Sequence, residues 1–291
     1  MENLIIIGSG PAGASAALYA ARAGLAPLLL SQGVGALEKA ECIENFYGSG
    51  PMPGVDLHRQ GERQAEALGA RIVRTQVLGV SGFDTYTVTT TDGAYEAIAV
   101  ILATGVKRAA PQIAGLRELD GRGVSYCAVC DAFFYRGKKV AVLGSGDFAL
   151  SEAEELGMAG SVTILTGGAP KTFSRPCPYP LDERPVAAVL GEEQVTGVRF
   201  TDGTELPIDG LFLALGTAGG SEIARRIGAA LDDQGNVKVD AAMQTALPGL
   251  FAAGDCTGGM LQVAKAAHDG MTAGLSAIQY VRDYRKRHPQ L

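Results

Sequence analysis

Leu4-Ile-Ile-Ile-Gly8-Ser-Gly10-Pro-Ala-Gly13 decides the fold, because an apolar run breaks there into a glycine-rich turn that opens an alanine-rich stretch over 14–23. The run reads as a buried strand, the turn as a phosphate-binding loop and the alanines as the helix behind it. In such a loop the first glycine permits the tight bend, the second lets a pyrophosphate approach the backbone, and the third lets helix and strand pack closely. Free N–H groups at the helix start add positive potential. The pattern begins again at 139–143 and runs into Gly144-Ser145-Gly146-Asp147-Phe148-Ala149. One such match is weak, whereas two in matching strand-turn-helix contexts are strong. Each copy later carries a hairpin signal, Thr91-Asp92-Gly93 or Thr201-Asp202-Gly203, and then an apolar strand ending in Ala103-Thr104-Gly105 or Gly216-Thr217. The expected fold is α/β, with two Rossmann-like dinucleotide-binding domains.

Leu250-Phe-Ala-Ala-Gly-Asp255 precedes a helical stretch over 262–284 that has no strand partner of its own, so this tail is expected to return to the first domain. Crossings near 109–112 and 240–243 make the first domain discontinuous, 1–110 with 243–291, and the second an insertion over 111–242.

A chain of 291 residues with 47% hydrophobic content buries a core of two ordinary modules, and 40 glycines suit many tight strand-to-helix turns. A net charge of −6 argues against nucleic acid as a partner. The one dense basic run, Arg285-Lys286-Arg287, reads as the solvated end of the last helix. Charged residues such as Arg22 keep every apolar stretch below the roughly 18 residues of a membrane span, and the run at 4–7 is too short for a signal peptide. A soluble, cytoplasmic protein is expected. Five cysteines, an odd number, do not make a secreted disulfide framework.

One close pair stands out, Cys127-Ala-Val-Cys130-Asp131. A zinc site needs four ligands, and Cys42, Cys177, Cys256 and the three histidines offer no second paired motif, so no metal is expected. A pair of inert buried thiols remains open. The favoured reading is a redox disulfide, since a Cys-x-x-Cys pair at a helix start has thiolate available for exchange. Asp131 then manages protons or stabilises the helix start.

The acidic residue that usually binds the adenosine ribose is missing from the first module, where the strand at 27–30 ends in Ser31-Gln32. The strand at 162–165 ends in Thr166-Gly-Gly, with no arginine for the 2′-phosphate of NADP.

Taken together, these residues resemble the low-molecular-weight, FAD-dependent thioredoxin reductases. Gly121-Arg-Gly-Val-Ser-Tyr-Cys-Ala-Val-Cys-Asp-Ala-Phe-Phe-Tyr135 is similar to that family's active-site segment, and Glu44-Asn45-Phe46, Ala103-Thr104-Gly105 and Ala253-Gly254-Asp255 resemble its flavin-contact motifs. The resemblance implies FAD held by Gly8, Gly10, Pro11, Ala12, Gly13, Ser31, Asn45, Ala103, Thr104, Gly105, Gly254, Asp255, Gln262 and Val263. It also implies a homodimer and a thioredoxin-like protein disulfide as partner, with Cys130 facing the flavin and Cys127 attacking that partner.

Two departures are informative. NADPH-using members carry a basic cluster where this chain has Thr166-Gly-Gly-Ala-Pro170, and five prolines within 170–185 preclude an ordinary crossover helix. Gly8 to Asp92 spans 84 positions and Gly144 to Asp202 only 58, a trim of 26 in the second module. Lys171 and Arg175 are the cations left there that could serve a phosphate, though each reads better as an exposed loop charge. Met260-Leu261-Gln262-Val263 likewise stands where those members have an aromatic-arginine-glutamine segment. Both resemble the branch in which ferredoxin, not NADPH, reduces the flavin. An NAD(P)H-dependent reductase with an unusual pocket and a flavin-containing redox sensor remain alternatives. The second pocket at Gly144, Ser145, Gly146, Asp147 and Phe148 is open to NAD(P)H, a second FAD or nothing.

Overall fold

Apolar Leu4, Ile5 and Ile6 have no solvent exposure, and they place strand β1 (Glu2–Ile7) at the centre of a seven-stranded sheet. The computed structural model describes residues 1–105, 112–126, 128–215 and 220–290. Helix α1 (Pro11–Arg22) follows β1, with proline at its first turn where the missing N–H is harmless. Next come β2 (Leu28–Ser31), α2 (Gly54–Ala67), β3 (Arg71–Arg74), β4 (Val77–Gly82), β5 (Tyr86–Thr90) and β6 (Gly93–Leu102). Strands β3, β2, β1 and β6 run parallel, while β4, β5 and β6 form an antiparallel meander that turns at the expected Thr91-Asp92 hairpin.

The chain then builds a second unit: β7 (Val124–Ser125), α3 (Ala128–Asp131), β8 (Lys139–Leu143), α4 (Asp147–Glu155), β9 (Ser161–Leu165), β10 (Leu181–Asp182), β11 (Val186–Leu190), β12 (Gly197–Phe200), β13 (Glu205–Pro207) and β14 (Gly210–Leu213). A five-stranded parallel sheet, β10-β9-β8-β14-β7, carries the second glycine loop, and β11-β12-β13 form a separate antiparallel sheet. As the prolines required, no helix lies between β9 and β10.

The last part comprises α5 (Gly220–Arg226), β15 (Leu250–Ala252) and α6 (Val263–Arg287). Strand β6 is long enough to change partners: Gly93 to Ala97 pair with β5, and Val100 to Leu102 pair with β15. Backbone contacts group Met1–Arg108 with Gly219–Leu291 and set Ala109–Ala218 apart. The return therefore comes earlier than the 240–243 crossing expected from the sequence. Residues 220–240 join the first unit because α5 packs on β4, Arg226 donates to the Leu78 carbonyl, and the Val237 N–H reaches the Cys256 carbonyl at 2.9 Å.

Helices α1 and α6 meet through residues too small to hold them apart, Ala12, Ala16 and Ala20 against Ala266, Gly270, Ala273 and Gly274. A Cβ at Gly270 would lie 2.0 Å from the Ala12 carbonyl oxygen, so this contact is backbone against backbone. Gly270→Val is expected to cost about 3 kcal/mol or more. Urea unfolding checks it, with Gly24→Ala, where no atom lies within 4 Å, reporting only the backbone penalty of a positive φ.

Candidate functional site

In the first unit the loop after β1 follows the chemistry its glycines promised. Gly8 has φ +109°, and a Cβ there would sit 2.3 Å from the Ala103 carbonyl oxygen, while one at Gly13 would sit 1.8 Å from the Gly8 carbonyl oxygen. Gly10, by contrast, has no atom within 4 Å of where its Cβ would be. The open face lies at the N-terminus of α1, whose first turn carries no acidic side chain and is N-capped by Gly10 without a side-chain bond. Backbone donors and the helix potential are thus left for an anion.

Asn45 and Gln262, far apart in sequence, are brought together, with Asn45 Nδ2 donating to Gln262 Oε1 at 3.1 Å, and Val263 begins α6. Gly254 lies beside Ala12. Thr104 Oγ1, next to Ala103 and Gly105, is buried without a hydrogen-bond partner among the described residues. Burial holds the Asp255 carboxyl above the ordinary range, Lys265 pulling the other way. Lys265 Nζ ties this turn together, donating to the carbonyls of Gly254 (2.9 Å) and Gly258 (2.7 Å) and to Thr257 Oγ1 (2.9 Å), and pairing with Asp269 at 2.7 Å. An open anion-binding helix start, an orphaned hydroxyl and a half-buried acid fit FAD.

Ser31, assigned to the ribose, is buried, and its hydroxyl is shared with Ser9 Oγ (2.6 Å) and accepts from Arg74 Nη1 (2.7 Å). Ser9 also meets His58 Nε2 at 3.0 Å, and Arg74 grips Glu62 through two bonds. Burial holds the His58 imidazole below its ordinary range. Local sequence patterns did not single out this cluster. Its only visible trace is the i, i+4 spacing of His58 and Glu62 on α2.

The second loop starts alike and ends differently. A Cβ at Gly144 would lie 2.2 Å from the Ala214 carbonyl oxygen, so this glycine is required by packing alone. The space over Gly146 is filled: a Cβ there would lie 2.7 Å from Thr172 Oγ1. The Thr172 N–H donates to the Ser145 carbonyl at 2.7 Å, and the Ser174 N–H donates to Asp147 Oδ1 at 2.8 Å. Asp147 itself is buried in the first turn of α4, where a dinucleotide phosphate would otherwise go, and Phe148 is a core residue. Lys171 pairs with Glu183 (2.7 Å) and Arg175 with Glu154 (2.5 Å), so both cations left for a phosphate have carboxylate partners.

Of the cysteine pair, Cys127 lies outside the described residues, and the backbone of Cys130 lies in α3. Asp131 Oδ2 accepts the Ser125 hydroxyl at 2.6 Å, which fastens α3 to the end of β7. Glu152 on α4, which the sequence reading passed over, accepts the Ala128 N–H at 2.9 Å. Phe133 and Phe134, just beyond α3, are 68% and 67% exposed. The Cys256 thiol is buried and pushed up to about 12 by that burial, which keeps it out of exchange chemistry. Among the described residues no cluster of His, Cys, Asp and Glu could hold a metal, and no helix is long and apolar enough to cross a membrane.

Comparison with known proteins agrees with this geometry. The pyridine nucleotide-disulphide oxidoreductase family model matches residues 2–270. The thioredoxin reductase of Listeria monocytogenes serovar 1/2a is 35% identical, over 98% of this chain and 95% of that protein. The crystal structure of the atypical thioredoxin reductase TRi from Desulfovibrio vulgaris Hildenborough superposes with a TM-score of 0.92 at 38% identity, covering 97% of this chain and 99% of that one. A ferredoxin-flavin thioredoxin reductase from Clostridium acetobutylicum gives 0.72 at 28% identity, covering 97% and 98%.

Gly10→Ala is expected to fold normally and to lose FAD affinity by about tenfold or more, because its methyl enters the open face while touching no protein atom. Flavin absorbance per chain after desalting, set beside the melting temperature, checks both halves.

Proposed function

Because this chain belongs to the pyridine nucleotide-disulphide oxidoreductase family, and within it to the thioredoxin reductases, we propose that it reduces a thioredoxin-like protein disulfide with electrons from ferredoxin or a similar carrier. As a member of that family it is an FAD-dependent disulfide oxidoreductase. The donor rests on one observation, the Thr172 to Ser174 strap laid over Gly146 and Asp147. A pyridine dinucleotide needs the backbone N–H groups at that helix start, and there the chain meets its own backbone and a buried carboxylate instead. The ferredoxin-flavin thioredoxin reductase among the structural relatives supports the same donor.

Gly8, Gly10, Pro11, Ala12 and Gly13 would cradle the FAD pyrophosphate, with Ala103, Thr104, Gly105, Gly254 and Asp255 along its length and Asn45, Gln262 and Val263 beyond. Ser31, held by Arg74, would close the adenosine end. When bound, FAD links one-electron delivery to two-electron disulfide chemistry. Two electrons and two protons convert the Cys127–Cys130 disulfide to a dithiol. Cys127 then attacks the partner disulfide, and Cys130 resolves the mixed disulfide, releasing two partner thiols and restoring the pair. Asp131, bonded to Ser125 and half-exposed, exchanges the protons with solvent. Exposed Phe133 and Phe134 offer the partner an apolar contact beside the pair. A cytoplasmic homodimer belongs to the same reading.

In an anaerobic titration, reduced ferredoxin is expected to bleach the flavin within seconds, while NADPH and NADH at micromolar concentrations leave it oxidised. Saturable bleaching by NADPH would instead make the protein an ordinary NADPH thioredoxin reductase. Absence of steady thioredoxin reduction by the dithionite-reduced protein would make it a sensor. Cys130→Ser is expected to trap a mixed disulfide through Cys127, and Phe133→Ala with Phe134→Ala to raise the KM for thioredoxin about tenfold.

A further inference from the structure

The arginine that the second unit lacks for a ribose phosphate has a counterpart in the first. Arg74 ends β3, and the parallel pairing of β2 with β3 sets it beside Ser31, at the carboxyl edge of the strands where ligands of this fold lie. From the glycine loop the path is continuous: Ser9 follows Gly8, Ser9 Oγ lies 2.6 Å from Ser31 Oγ, and Ser31 Oγ accepts from Arg74 Nη1 at 2.7 Å. Glu62 on α2 fixes the guanidinium, accepting from Nη1 at 2.7 Å and from Nη2 at 2.5 Å. Ser9, Ser31, His58 and Glu62 are buried, whereas the Arg74 side chain is 57% exposed. Three of the five N–H groups of the guanidinium are thus spent, and the other two have no partner among the described residues.

Resting on the reading that the first glycine loop seats an adenine dinucleotide, we infer that Arg74 is the specificity-determining residue for its adenosine end, and that the flavin-free chain takes an adenosine bearing a 2′-phosphate at least as tightly as one with a free 2′-hydroxyl. A site of this fold that ends its second strand in an exposed carboxylate accepts from the ribose hydroxyls and repels a phosphate placed on them. Here that strand ends in Ser31, and the acid of the cluster, Glu62, is buried with the guanidinium as its exposed partner. The ligand meets donors instead. A planar fork of N–H groups recognises phosphate oxygens with charge-assisted bonds, and a neutral hydroxyl draws less from it. Glu66, the other acid that acts on Arg74, is exposed and therefore screened by solvent. NADP(H) thereby gains a place on this chain that does not involve the second loop: it competes with FAD for the first.

The full chain, stripped of flavin, is titrated with FAD in the presence of ADP-ribose or of 2′-phospho-ADP-ribose, two probes that differ by that phosphate alone, with flavin fluorescence reading the competition. Wild type is expected to bind the phosphorylated probe at least as tightly as the plain one, and weaker binding overturns the assignment whatever the variant does. Arg74→Gln alone leaves Glu62 buried without its cation, so the variant used is Arg74→Gln with Glu62→Gln, which removes both charges. Its affinity for 2′-phospho-ADP-ribose relative to ADP-ribose is expected to fall about tenfold from the wild-type ratio. A ratio unmoved in that variant also overturns the assignment and leaves Arg74 a partner for a buried acid. Failure of both probes to compete with FAD sinks the reading of the first loop itself, a result distinct from either.

Discussion

The first unit depends on a backbone contact between the turn after β1 and the end of β6. At Gly8 the chain passes so close to the Ala103 carbonyl that a side chain is excluded, and Gly13 in turn lies against the Gly8 carbonyl. Those two approaches bring α1 onto the sheet with its first N–H groups unspent. From that placement follow the open face at Gly10, the meeting of α1 with α6 and the position of the Gly254 turn beside Ala12.

The second unit repeats the contact and puts it to another use. Gly144 lies against Ala214 as Gly8 lies against Ala103, so the strand-turn-helix geometry survives. What differs is the connection after β9. A crossover helix would pack on the sheet and leave the loop free, whereas the proline-rich segment lies across it, bonded to Ser145 and Asp147. The same motif is left open in one unit and serves as a strap seat in the other. A glycine signature therefore reports local packing, and what lies on top of it decides whether a ligand can reach it.

Much of this was legible in the sequence. The paired loops, the two hairpins, the return of the last helix to the first unit and the lack of a helix after β9 each follow from local rules of period, turn chemistry and proline geometry. The rest depends on contacts between distant residues, which leave no periodic trace. Arg74 meeting Ser31, Thr172 covering Gly146 and Glu152 reaching Ala128 are of this kind. Residues 220–240 were placed in the wrong unit for a related reason, since a seven-residue helix and a run of turns carry no signal of which sheet they join. Lys171 and Arg175 are exposed, as loop charges are expected to be, and their carboxylate partners lie 12 and 21 residues away, beyond the reach of any local pattern.

The Lys265 hub makes two positions interdependent. One ammonium satisfies two main-chain carbonyls, a hydroxyl and Asp269 at once, next to a half-buried Asp255. Losing the lysine alone would remove the cation from the buried Asp269, whereas losing Asp269 alone leaves the ammonium two carbonyls and a hydroxyl. The effects of substitutions at 265 and 269 are thus coupled and unequal, the loss of the lysine bearing harder on the turn than the loss of the acid.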